Sequence, residues 1–126
     1  CIDFNGNTGP FIQYTHARIR SILRKAGEGI QFTGPVSLHP KEADLLILLY
    51  QFPQVVGQAA GELSPSVVAN YLFEVAREYN QFYHELTILK EEDLNTRTLR
   101  LALSQLSATV IRNGMSLLGI DVPEKM

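Results

Sequence analysis

Between Ser64 and Glu85 the apolar side chains return with the period of an α-helix. Val67, Val68, Tyr71, Leu72, Val75, Ala76, Tyr79, Phe82 and Tyr83 recur at i, i+4 and i+8 with adjacent partners. Glu74, Glu78, Gln81 and Glu85 take the other side. Ser64-Pro65 supplies the start, a capping residue followed by proline at the first helical position. A helix this long and apolar on one side only must lay that side against other elements. The chain is thereby constrained to a helical core.

The flanking segments read the same way. In 10–26, opened by a turn at Gly6, Asn7, Gly9 and Pro10, the residues Phe11, Thr15, Ile19, Ile22 and Ala26 form one apolar stripe. Gly27 and Gly29 end that helix. Short helices are expected over 40–51 and 53–63, the second burying Val55, Val56, Ala59 and Ala60. A last helix follows Thr96, with Leu99, Ala102, Leu103, Leu106, Val110 and Leu117 along its seam. Asn113-Gly114 is locally a turn sequence, and propensity alone would stop the helix at Arg112. Only Ile30-Gln31-Phe32 hints at a strand. The fold class is all-α, a bundle of about five helices.

With 126 residues the chain is one domain with a core of its own, and its 45% apolar and 19% charged residues exclude disorder. Its longest apolar run, Leu45 to Tyr50, has six residues against the roughly 18 that a membrane span needs. A first residue of Cys rather than Met points to a piece of a longer protein. The net charge of -2 hides a strong asymmetry. Residues 4–27 hold Arg18, Arg20, Arg24 and Lys25 and no acid; residues 94–120 hold Arg97, Arg100 and Arg112 and no acid. Residues 41–93 hold nine acids against three bases. If the two ends meet, they make a basic face on an acidic body.

An active site is hard to build from these residues. His16, His39 and His84 lie in separate elements and Cys1 stands alone, so no metal-ligand spacing exists. No phosphate-binding glycine loop or nucleophile elbow occurs. Glu91, Glu92 and Asp93 read as a solvated connector. The first helix offers more. At 100° per residue, Tyr14, Arg18, Ser21 and Lys25 make a second stripe beside the buried one. A ring that stacks on a base, next to cations that meet phosphates, suits single-stranded nucleic acid.

This stretch carries a family resemblance. Gly6-Asn7-Thr8-Gly9-Pro10-Phe11-Ile12-Gln13-Tyr14-Thr15-His16-Ala17-Arg18-Ile19 resembles the segment that opens the C-terminal domain of arginyl-tRNA synthetases. Asn80-Gln81-Phe82-Tyr83-His84 is similar to the family's N-x-F-Y. Asn113-Gly114 through Leu117-Leu118-Gly119-Ile120 resembles its closing helix, and Val122-Pro123-Glu124-Lys125-Met126 its chain terminus. Together these cover nearly the whole chain apart from 28–38.

The resemblance implies a DALR-type anticodon-binding domain over 10–126, with 1–9 as a tail from a preceding catalytic domain. That catalytic domain would ligate arginine to tRNA-Arg using ATP and magnesium. Its H-I-G-H and K-M-S-K-like signatures are absent here, so no cofactor and no catalytic residue is expected in this chain. The implied partners are tRNA-Arg and the catalytic domain, in a monomeric cytoplasmic enzyme with no membrane attachment. The closing helix should run through Gly114 to about Leu118, at a cost of about 1 kcal/mol relative to alanine. Residue by residue, the resemblance brings Phe11, Thr15 and Met126 to the anticodon loop, whereas periodicity places Phe11 and Thr15 on the buried stripe. The expected RNA-binding set is Phe11, Tyr14, Thr15, Arg18, Lys25 and Met126. Two other readings stand beside this one. The first is a helical protein-interaction module using the acidic middle or apolar grooves. The second is the equivalent domain of another class I synthetase, such as the cysteinyl enzyme, against which Gln13-Tyr14-Thr15-His16-Ala17-Arg18 argues.

Overall fold

The computed structural model describes residues 8–27 and 34–125. Among them are five helices and no strand: α1 (Thr8–Ala26), α2 (Pro40–Tyr50), α3 (Phe52–Glu62), α4 (Pro65–Glu85) and α5 (Leu94–Leu117). The expected all-α bundle is what forms. Cys1 to Asn7, the segment with Gly29 and Ile30-Gln31-Phe32, and Met126 lie outside the described residues.

Each helix starts where local chemistry permits. α1 begins at Thr8, two residues ahead of the expected helix start at Pro10. His39 caps α2: its Nδ1 accepts from Lys41 N, and Glu42 Oε1 accepts from His39 N at 2.7 Å, a reciprocal capping box. Ser64 has the extended geometry of a cap before Pro65, yet its hydroxyl bonds Ser66 Oγ rather than a helix N–H. Asp93 caps α5 through Thr96 N at 2.9 Å.

The core gathers Ile12, Ile19 and Ile22 of α1, Leu45 and Leu49 of α2, the α4 stripe, and Leu99, Leu103, Val110, Ile111 and Met115 of α5. On α4 the buried set runs from Val68 to Phe82, close to the expected stripe, with Val67 and Tyr83 half-buried at its edge. Two expectations about packing need correction. α3 buries none of its residues; Val55, Val56 and Ala59 are half-covered and Ala60 is exposed, because the helix lies on the outside of α4. On α5, Leu106 and Leu117 are exposed, while Ser104, Ser107 and Gly114 take core positions.

Gly114 shows why the last helix continues through a turn-like sequence. A Cβ at this position would stand 2.6 Å from Leu72 Cδ2 and 3.0 Å from Leu72 Cγ. Only glycine lets α5 approach α4 this closely, and the packing outweighs its weak helix propensity. The helix stops instead at Gly119, in the left-handed conformation with φ of 76°. Ile120 N donates to Met115 O and Gly119 N to Ser116 O, the paired bonds of a Schellman turn. From that turn the tail runs along α1, with Gln13 Nε2 donating to Asp121 O.

Candidate nucleic-acid interface

Tyr14, Arg18, Ser21 and Lys25, the second stripe of α1, line one cleft together with Tyr83 of α4 and Lys125 of the tail. Its volume is about 490 Å³. The two cationic ends of the chain do not merge here: α1 packs on α5, but none of Arg97, Arg100 and Arg112 lines the cleft, and the far end contributes only Lys125 from the tail beyond α5.

Arg18 is the centre of the cleft. Its guanidinium carbon lies 4.5 Å from the Tyr83 ring centroid and 5.2 Å from that of Tyr14. Asn80 Oδ1 accepts from Arg18 Nη1 at 2.6 Å. Asn80 is itself held, because its Nδ2 donates to Ala76 O at 2.8 Å and to Thr15 Oγ1 at 2.9 Å. Two rings and an amide therefore orient the guanidinium without neutralising it. Among the described residues no carboxylate pairs with Arg18, Lys25 or Lys125. Tyr14 is 46% exposed, so its ring offers a face to a ligand. Planar stacking surfaces beside uncompensated cations are what unstacked bases and their phosphates require.

Thr15 departs from expectation. It is fully buried, its hydroxyl donates to Phe11 O at 2.9 Å and accepts from Asn80, and nothing from solvent can reach it. It belongs behind the cleft as the support of Asn80. Phe11 is half-buried one turn earlier, its ring tilted against Phe73 at 5.7 Å between centroids. It does not line the cleft. Met126 lies outside the described residues.

The remaining cations divide by their partners. Arg24 reaches the cleft but also holds Glu124, with Nη1 3.7 Å from Oε1 and Nη2 donating to the backbone oxygen. Arg20 Nε donates to Glu124 Oε1 at 3.0 Å. Glu124 in turn is held below the usual carboxylate range, first by its hydrogen bond from Arg20. Arg100 is not part of any basic face. It is buried, donating to Glu42 Oε2 at 2.7 Å, Glu91 Oε1 at 2.9 Å and Thr87 O at 2.6 Å. Glu91 is thereby a structural partner, not a solvated connector residue. The acidic middle is consumed in similar ways: Glu78 and Glu85 approach Lys41, Glu74 pairs with Arg77, and Asp93 caps α5.

Tyr83 and Lys125 line the cleft and Asn80 holds Arg18 from behind it, none of which the α1 stripe alone reveals. The Asn80–His84 and Val122–Met126 motifs contained them, but motif membership does not say that they converge on Arg18. Among the described residues no group of His, Cys, Asp and Glu can hold a metal ion. No helix of the described residues is long and apolar enough to cross a membrane.

Residues 12–126 match the DALR anticodon binding domain. The chain belongs to that family. Its DALR relatives include the arginine–tRNA ligase of Bacteroides thetaiotaomicron, 53% identical over 99% of this chain and 22% of the relative. The arginine–tRNA ligase of Flavobacterium psychrophilum is 50% identical over 99% of this chain and 21% of the relative. Among solved structures, Thermus thermophilus arginyl-tRNA synthetase superposes with a TM-score of 0.86 at 38% identity, covering 98% of this chain and 22% of that one. The chain therefore spans about a fifth of the length of the relatives it matches. The cleft is where Tyr14, Arg18 and Lys25 of the expected RNA-binding set come together.

Proposed function

We propose that the α1–α4 cleft binds the anticodon loop of tRNA-Arg, and that this chain is the anticodon-binding part of an arginine–tRNA ligase. The remaining four-fifths of such a ligase would carry the catalytic domain, which joins arginine to the tRNA with ATP and magnesium. The observation that carries the reading is Arg18, held between two tyrosine rings and an amide, with no carboxylate of the described residues against it. A guanidinium so placed can pair with a phosphate or lie flat on a base, while Tyr14 stacks and Lys25 and Lys125 attract the backbone. Names of relatives half-identical to this chain support the choice of tRNA.

The test is a titration of the 126-residue chain with a tRNA-Arg anticodon stem-loop and with an unrelated hairpin of equal length. Binding should weaken steeply with salt and favour the cognate loop. Equal affinity for the two hairpins at low salt would overturn loop recognition by this cleft.

The acidic middle does not support the alternative of a protein-binding acidic face, because most of its carboxylates are already matched within the fold.

A further inference from the structure

A third stripe of α1 is occupied by the chain's own tail. Gln13, His16, Arg20 and Arg24 recur at steps of three, four and four, the spacing of a single helix face. Gln13 Nε2 donates to Asp121 O at 3.1 Å, and His16 Nδ1 lies 2.9 Å from Pro123 O. Arg20 Nε donates to Glu124 Oε1 at 3.0 Å, and Arg24 Nη2 to Glu124 O at 3.1 Å. The Schellman turn at Gly119 aims the tail onto this face, and Lys125 follows directly at the wall of the cleft.

Two details show that this is more than a chain end resting on a helix. His16 is 1% exposed, and its bond to a carbonyl requires the proton on Nδ1, which leaves Nε2 buried with no partner. A packing residue such as leucine would fill this position without that cost. Glu124 places a negative charge beside a cleft suited to a polyanion and occupies Arg24, which lines that cleft, together with Arg20. The first feature costs stability, and the second is unfavourable for RNA attraction by charge alone.

We infer that His16 and Glu124 are positioning residues: they clasp the tail along α1 and so hold Lys125 where it can meet the RNA backbone. This role rests on the anticodon-loop reading of the cleft. It makes a prediction opposite in sign to that of simple electrostatics. Removing the Glu124 charge and freeing Arg20 and Arg24 should tighten RNA binding if only net charge matters. If the clasp positions Lys125, the same change weakens it.

The experiment uses the 126-residue chain and the anticodon stem-loop. Glu124→Ala should weaken binding about three- to tenfold, and Lys125→Ala by a similar factor. Glu124→Gln, whose Oε1 can still accept from Arg20, should fall between the wild type and Glu124→Ala. The double variant Glu124→Ala/Lys125→Ala should bind no more weakly than Lys125→Ala alone, because one residue acts through the other. Tighter or unchanged binding by Glu124→Ala, or losses that simply add in the double variant, would overturn the inference. Glu124 is solvent-exposed, so these variants should fold normally; unfolding midpoints check this. Nuclear Overhauser contacts between the His16 ring and Pro123, recorded without RNA, report the clasp independently. Their loss in Glu124→Ala with unchanged RNA affinity removes the positioning role and leaves the anticodon reading standing. A wild-type chain that shows these contacts but does not distinguish the hairpins removes the anticodon reading, and the role of the clasp in RNA binding with it.

Discussion

Arg18 and Arg100 both come from acid-free ends of the chain, yet they finish in opposite surroundings. Around Arg100 are two carboxylates and a backbone carbonyl, with Glu42 itself 1% exposed and engaged in the α2 capping box. Around Arg18 are two aromatic rings and a neutral amide. The first arrangement neutralises a guanidinium and uses it to join α2, α5 and the turn between α4 and α5. The second fixes the position of the guanidinium while leaving its charge available to a ligand. Identical side chains are thus either consumed within the fold or left with an available charge, according to whether an anion is built into the site.

The largest effect should come from breaking the satisfied member of this pair. Arg100→Ala leaves Glu42 buried without its cation and should destabilise the fold by about 3–5 kcal/mol in urea unfolding. A loss below about 1 kcal/mol would mean that the buried ion pair adds little to the fold. Next is the close contact between α4 and α5 at Gly114. Gly114→Ala should cost about 1–3 kcal/mol through its clash with Leu72. On helix propensity alone it would stabilise by about 1 kcal/mol, so the sign decides between packing and propensity.

Arg18→Ala should reverse the pattern of Arg100. Its effect on unfolding should be small, whereas stem-loop affinity should fall about tenfold and the salt dependence should become shallower by about one unit. A similar loss for all hairpins is expected if Arg18 takes the proposed role of pairing with the RNA backbone. Phe11→Ala, which removes a ring packed on Phe73 outside the cleft, should instead lower the unfolding midpoint and leave stem-loop affinity nearly unchanged. A loss of affinity for Phe11→Ala as large as that for Arg18→Ala would break this division.

The smallest effect concerns acid. His16 is pushed below its ordinary value of 6.5, first by burial; Arg20 and Arg112 add to this, while Pro123 O and Glu124 oppose it. A histidine whose folded value is depressed contributes stability that is complete above pH 6.5 and is lost as pH falls toward the lowered value. The clasp should therefore loosen on mild acidification, read as fading contacts between His16 and Pro123. His16→Gln should flatten the fall of the unfolding midpoint below pH 6.5; an unchanged pH profile would show that another group controls it.

The α1 stripe of Tyr14, Arg18, Ser21 and Lys25 was legible before any coordinates, because helical geometry alone places those residues in a row. So were the five helices and most of their ends, from Pro65 after Ser64 to Gly27 after Ala26. Thr15 was not legible as a support: from its spacing it is buried, from the family pattern it approaches RNA, and its bond to Asn80 across 65 positions decides between them. Nor was the burial of Arg100 legible, since its partner Glu42 is 58 positions away. α3 misled for a related reason. Its apolar spacing implies a buried side, but whether that side is covered depends on how much room α4 leaves.

Apolar period, prolines at helix starts and glycines at helix ends act within a few residues, so the sequence by itself determined the helices, their order and the rows of side chains on each. Which charge meets which partner was left to the tertiary structure. Coulomb and hydrogen-bond energies depend on distance in space and on access to water, and only the packed bundle sets those for Arg18, Arg100, His16 and Glu124.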